Sequence, residues 1–175
     1  MSLPEEHQST ITKEIIAPFL NLIFFETGAW YGGGLLVAKE AGFQRLYSLE
    51  LDSEIAQRAS ENIPEATIFC GDSRYIFGPL INEHIDAPTT FFLDSHKQIE
   101  GQPPISTALH ELYFISQHSL VNTFTILIDD IRMFKSGVWG TTFEMLITFA
   151  NRVKRGVKID YIDNRLFKDD IMVLT

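Results

Sequence analysis

Five short apolar runs recur along the chain, at residues 22–26 (LIFFE), 45–50 (RLYSLE), 66–72 (ATIFCGD), 89–94 (TTFFLD) and 124–130 (FTILIDD). Each is too short for a buried helix and rich in aromatic or β-branched side chains, which predicts strands buried on both faces. Between them the period changes. Residues 33–41 read as a helix stopped by Gly42. A second begins at Asp52, an N-cap type with Glu54 in its first turn, and ends before Pro64. Gly78-Pro79 interrupts the segment after Asp72. Ile105, Ala108, Leu109, Leu112 and Ile115 keep helical spacing with Pro104 at their head, and Phe143, Leu146, Ile147, Ala150 and Val153 mark another helix. VKIDYI (157–162) and DIMVLT (170–175), parted by a polar DNRLFKD, read as a terminal hairpin. The alternation predicts a three-layer α/β fold. Its parallel sheet has right-handed crossovers, helices on both faces and a C-terminal antiparallel hairpin strand.

Composition narrows this picture. A chain of 175 residues, 45% of them hydrophobic, suits one domain over 1–175, with 1–21 as a lead-in to the first strand. No apolar run approaches the roughly 18 residues that cross a bilayer. MSLPEEHQST at the N-terminus has neither a basic region nor an apolar signal core. The lone cysteine, Cys70, excludes an intrachain disulfide and fits a reducing compartment, so the expected location is cytoplasmic. A formal net charge of −9 argues against nucleic-acid or anionic-membrane partners. The local basic group Arg152, Lys154, Arg155 and Lys158 reads as the solvated end of a helix.

Each of the five parallel strands finishes on an acid: Glu26, Glu50, Asp72, Asp94 and Asp129. Ligands of such folds bind beyond the carboxyl ends of the strands, which would put all five acids along one rim. Any one of them alone is equally well read as a strand-end or capping residue. The first strand also runs into a glycine turn, FFETGAWYGGGLL. Its Gly28, Gly32, Gly33 and Gly34 follow GxxxGGG rather than the GxGxxG of dinucleotide sites. An acidic rim repels pyrophosphate and suits a cation rich in hydroxyl and amino donors. S-adenosylmethionine, with its sulfonium, ammonium, ribose diol and adenine amine, meets those conditions. Glu50 stands 22 residues beyond Gly28, close to the offset of about 20 at which an acid reaches a ribose diol.

With these residues in register, the sequence resembles the class I, Rossmann-like S-adenosylmethionine-dependent methyltransferases from residue 22 to residue 175. Glu26-Thr27-Gly28 with Gly32-Gly33-Gly34 resembles the family's first motif, which lies under the methionine part of the cofactor. The resemblance implies that Glu50 grips the ribose hydroxyls, that Gly71-Asp72-Ser73 contacts adenine, and that Asp94 faces the methyl group and the acceptor. The spacing between Gly28 and Gly32 is wider than the family's. Asp94 with Asp129-Asp130 further resembles the divalent-metal set of macrocin-type sugar O-methyltransferases, which implies Mg²⁺ or Mn²⁺ at those three acids. In the same reading Asp94, His96 and Asp129 carry the chemistry, His96 as a spare ligand or general base beside the reading of an ordinary loop histidine. For Asp130 a brace to Arg132 stands as the plain alternative.

The expected activity is therefore methyl transfer to a small hydroxylated acceptor. A non-catalytic cofactor-binding domain or subunit, and a nucleotide-dependent oxidoreductase, are the competing readings. Loops 95–104 and 131–142 follow the two chemically richest strands and are the expected cover of the acceptor, the second with Gly137 and Gly140 around an apolar Val138-Trp139. Trp30 and Tyr31 are pocket or packing residues. His84, His110 and His118 are expected on the surface or a helix face. Little chain is left over for acceptor recognition, which makes a homodimer or partner subunit a candidate for the missing wall.

Overall fold

A computed structural model describes residues 3–97 and 104–175. Strands β1 (Ile23–Thr27), β2 (Arg45–Glu50), β3 (Thr67–Cys70), β4 (Thr89–Leu93) and β7 (Thr125–Ile128) run parallel. The terminal hairpin, β8 (Ile159–Ile162) and β9 (Ile171–Leu174), adds β9 antiparallel to β7. All seven sit in one sheet of order β3-β2-β1-β4-β7-β9-β8. A short antiparallel ribbon, β5 (His96–Lys97) with β6 (Ile105–Ser106), stands apart. The expected fold is present, and its topological switch point falls between β1 and β4, whose C-terminal residues Thr27 and Leu93 are paired.

The strand period of two sorts neighbouring residues to opposite faces. Phe25, Phe91, Ile126 and Met172 join one core cluster, and Phe24, Phe92, Leu127 and Val173 the other. That is why these runs read as continuously apolar: both faces are covered. The first cluster packs under α4 (Ser73–His84), α5 (Ala108–Gln117) and α7 (Phe143–Ala150); the second lies under α2 (Gly33–Ala41) and the short α1 (Lys13–Ile16).

The helix α3 (Ser53–Asn62) starts as expected, with Asp52 accepting from the Glu54 and Ile55 amides at 2.9 and 3.1 Å. α2 ends at Gly42, whose φ of 106° is the left-handed cap. Several expectations need correction. Gly78-Pro79 does not interrupt α4, which runs through Pro79. The residue before a proline normally leaves the helical region because its Cβ clashes with the ring, and Gly78 has none. Pro104 does not open α5: Ile105 and Ser106 pair with Lys97 and His96, and the helix starts three residues after Ile105, at Ala108. Val153 lies beyond the end of α7 and is buried all the same. Residues 131–142 are not an open loop, because 131–136 form α6 (Ile131–Ser136). Trp139 is 5% exposed and packs edge-on against Phe134, so it is core and not lid. His118 is buried against Phe124, and Lys154 donates to the Phe124 carbonyl at 2.6 Å, which takes it out of the basic group. The lead-in also belongs to the core, through buried Ile11 and Ile16. No described helix is long and apolar enough to cross a membrane.

Replacing Asp52 by Ala should cost about 1 kcal/mol, since two amides of the first turn lose their acceptor. For a chain of this size that lowers the melting temperature by roughly 2–4 °C. Lys39→Ala, which removes a half-exposed pair with Glu65, should shift it by less than about 1 °C. Equal shifts in the two variants would contradict the capping role.

Candidate functional site

A cavity of about 400 Å³ opens at the C-terminal ends of β1, β2, β3 and β4. The glycine turn forms its floor. Gly28, at φ 87°, donates to the Leu49 carbonyl at 2.8 Å, and a Cβ there would lie 2.8 Å from the Asp94 carbonyl oxygen. The two strands at the switch point therefore approach too closely for any side chain. Gly34, in the first turn of α2, is stricter still: a Cβ would stand 1.8 Å from Oε1 of Glu26. Glu26 thus lies directly against the helix start. Gly28, Gly33 and Gly34 line the cavity, whereas Gly32 does not. Gly32, expected to contact the cofactor, turns the chain at φ 89° against Ile63.

Four of the five strand-end acids share this cavity: Glu26, Glu50, Asp72 and Asp94. Glu50 accepts from the Trp30 amide through Oε2 at 2.9 Å and from the Asp52 amide through Oε1 at 3.0 Å. These bonds fix its carboxylate at the mouth and hold Trp30 in a left-handed conformation, φ 46°. Asp72 caps α4 by accepting from the Arg74 amide at 3.1 Å, and it pairs with the Arg74 guanidinium at 2.6 and 2.9 Å. Ser73 follows it, buried in the cavity wall. Tyr31 lies outside the lining and stacks on His7, while Trp30 is part of the mouth.

Glu26 and Asp94 have no cationic partner in hydrogen-bond contact among the described residues. Burial pushes the Glu26 carboxyl up to about 8, against the hydrogen bond from Ser48 (3.1 Å) and with added repulsion from Glu50. Desolvation holds Asp94 well above the usual carboxylate range; Asp129, Asp130 and Glu26 add to this, and Arg132 only partly offsets it. The floor of the cavity is short of positive charge.

The fifth acid behaves differently. Asp129 is 1% exposed, does not line the cavity, and accepts from Thr10 Oγ1 and from Asn164 Nδ2 (3.0 Å). The expected trio of Asp94, Asp129 and Asp130 is split between two groups. Ligand atoms of Asp94, His96 and Asp130 lie within 4.8 Å of one another, and those of Asp129, Asp130 and Asp170 form a second such group. The second already holds a cation, because Arg132 pairs with Asp130 at 2.7 Å and with Asp170. Asp130 therefore does brace Arg132, and it occupies the left-handed region, φ 59°, to do so. His96, in strand β5 of the ribbon, is exposed and stacks on Trp139, with ring centroids 5.7 Å apart. The expected cover over residues 95–104 lies largely outside the described residues.

Two parts of the site escaped the sequence reading. Residues 7–10 cross the cavity as a wall, supplied by the lead-in. Glu111, wholly buried on α5, accepts from Ser95 and Thr107 hydroxyls at 2.7 Å each and from Thr27 at 3.1 Å. It thereby pins both ends of the excursion between β4 and α5. An acid on the apolar face of that helix, between Ala108 and Leu112, was the available signal.

No protein-family model matches the sequence, and no curated protein is similar to it by sequence. Solved structures do resemble it. A methyltransferase of Podospora anserina, PaMTH1, bound to S-adenosylhomocysteine, matches with a TM-score of 0.67 at 12% identity over 93% of this chain and 74% of that one. An O-methyltransferase of Bacillus cereus, also with S-adenosylhomocysteine, gives 0.64 at 12% identity over 100% and 82%. The O-methyltransferase TomG of Streptomyces achromogenes, with S-adenosylmethionine, gives 0.61 at 12% over 93% and 75%. The chain has the class I, Rossmann-like methyltransferase fold.

A Glu26 pKa of about 8 against an ordinary 4.5 has a definite sign. The folded protein keeps a proton that the unfolded chain releases, so this contribution to stability is complete below pH 4.5 and is lost as pH rises towards 8. The loss amounts to about 4 kcal/mol. Glu26→Gln, which stays neutral, should melt roughly 10 °C above the parent at pH 8. Below pH 5 the two should nearly coincide; a pH-independent difference would show that Glu26 is charged in the fold.

Proposed function

We propose that the protein is an S-adenosylmethionine-dependent O-methyltransferase acting on a small hydroxylated acceptor, assisted by Mg²⁺ or Mn²⁺. The observation that carries this reading is the pair of uncompensated carboxyls, Glu26 and Asp94, in a cavity whose mouth is formed by Glu50. Such a floor favours a cationic ligand and disfavours pyrophosphate. The likeness to O-methyltransferases bound to S-adenosylmethionine or S-adenosylhomocysteine supports the same choice.

The cofactor, when bound, supplies an electrophilic methyl group on a sulfonium. Glu26, pressed against the start of α2, would take up the cofactor's ammonium and give up its proton. Glu50 has both carboxylate oxygens fixed by backbone amides and keeps lone pairs for the ribose diol. Asp72 and Ser73 would flank the adenine. Gly28, Gly33 and Gly34 let the backbone close on the nucleoside and the methionine chain. Trp30 at the mouth, half exposed in the free protein, would lie against the bound nucleoside.

On the acceptor side the donor set fits a divalent cation: two carboxylates and an imidazole with their ligand atoms within 4.8 Å. Asp94, His96 and Asp130 would hold it, in place of the set with Asp129. The cation, when bound, supplies Lewis acidity towards an acceptor hydroxyl. In its absence Asp94 and His96 remain the groups that face the acceptor, and His96 is the base that takes the hydroxyl proton. Glu111 keeps Ser95, and with it both neighbours, in position.

Saturating S-adenosylhomocysteine, at 100 times its dissociation constant, should stabilise the protein by about 2.7 kcal/mol. NAD should leave the melting temperature unchanged. Glu50→Ala should weaken S-adenosylhomocysteine binding by at least about tenfold in calorimetry. Mn²⁺ should bind the parent but not Asp94→Ala. A protein stabilised by NAD and indifferent to S-adenosylhomocysteine would end the proposal.

A further inference from the structure

The wall formed by residues 7–10 is held by contacts that do not involve the cavity. Thr10 Oγ1 donates to Asp129, and the Thr10 carbonyl accepts from the Arg165 amide at 2.8 Å. Arg165 also donates to Gln8 Oε1 at 2.7 Å. Asn164, the next residue back, donates from Nδ2 to both Asp129 and Asp170 at 3.0 Å. The turn between β8 and β9, the end of β7 and the N-terminal lead-in thus meet at one buried carboxylate. From there the chain runs across the start of α2 with no slack: a Cβ on Gly33 would lie 2.6 Å from the His7 carbonyl oxygen and 2.7 Å from the Ser9 nitrogen. At its far end the Trp30 indole donates to the Glu6 carbonyl at 3.4 Å, and His7 stacks on Tyr31 at 3.6 Å.

From this geometry we infer that Asp129 is a positioning residue for the cofactor: it anchors an N-terminal strap, through Thr10, that closes the cavity over the start of α2, and it does not ligate metal. The inference rests on the cofactor reading above for what the strap covers, but the anchor itself is a feature of the free protein. A buried acceptor whose oxygens meet a hydroxyl and an amide is already satisfied by the fold. Of the two neighbours, Asp130 is the one whose carboxylate groups with Asp94 and His96, their ligand atoms lying within 4.8 Å of one another. The Asp-Asp pair is in this way divided between two tasks, one residue facing the acceptor and one holding the strap. Since the strap lies across the helix start, loosening it opens the end of the cavity where Glu26 sits.

The test uses the full chain with Thr10→Val, Thr10→Ser and Asp129→Ala, well below the melting temperature of each. Trp30 is 51% exposed and Trp139 only 5%, so acrylamide quenching of tryptophan fluorescence reads Trp30 and hence the strap. Thr10→Val should raise the quenching constant and weaken S-adenosylhomocysteine binding about tenfold in calorimetry, and Thr10→Ser should restore both. Asp129→Ala should match Thr10→Val while its Mn²⁺ affinity stays that of the parent. Unchanged quenching and affinity in Thr10→Val, or loss of Mn²⁺ binding in Asp129→Ala, would overturn the inference. Failure of the parent to bind S-adenosylhomocysteine would remove the cofactor reading alone, because the Trp30 signal reads the anchor without ligand.

Discussion

The constraint on which this structure turns is the crowding of carboxyls where β1, β2 and β4 end. A parallel sheet brings equivalent strand termini together, so acids that are scattered in sequence become neighbours. Burial then raises the free energy of their charged forms, and the cost is met in different ways. Asp72 has a guanidinium beside it and Glu50 has two amides. Glu26 has only a serine hydroxyl and takes up a proton instead. The molecule stores an unmet preference for positive charge in the cavity floor, and that preference selects among ligands before any shape is considered.

Polar groups away from the floor keep its walls in place. Glu111 ties Thr27, Ser95 and Thr107 together beneath the cavity, so that the end of β1 and both sides of the β4–α5 excursion share a single acceptor. On the other flank, Asp129 and Asp170 gather Thr10, Asn164 and Arg132. Both networks are buried and well supplied with donors, which makes them rigid parts of the fold. The site therefore leaves charge uncompensated at its floor, where a ligand is needed, and is braced around its walls.

The elements of the fold were readable because both sheet faces are covered, which leaves uninterrupted apolar runs, and because Asp52 and Gly42 mark helix ends in their usual way. Errors arose where a neighbour changed the local rule. Gly78 lets a helix pass through Pro79, and pairing with His96-Lys97 draws Ile105-Ser106 out of the helix that their spacing suggested. Glu50, Asp72 and Asp94 could be located from strand ends alone. The role of Asp129 could not, since its partners Thr10 and Asn164 lie 119 and 35 residues away.

By itself the sequence determined the order of strands and helices, the parallel sheet with its terminal hairpin, and the acidic character of the rim, because these follow from short-range periodicity and from which residue closes each strand. Tertiary structure alone decided which acids share a cavity, that the lead-in walls it, and that of adjacent Asp129 and Asp130 only Asp130 groups with Asp94 and His96. The reason is physical: the direction of a side chain at a strand end is set by the left-handed turn at Asp130 and by donors brought from remote segments, and neither is encoded within reach of the residue itself.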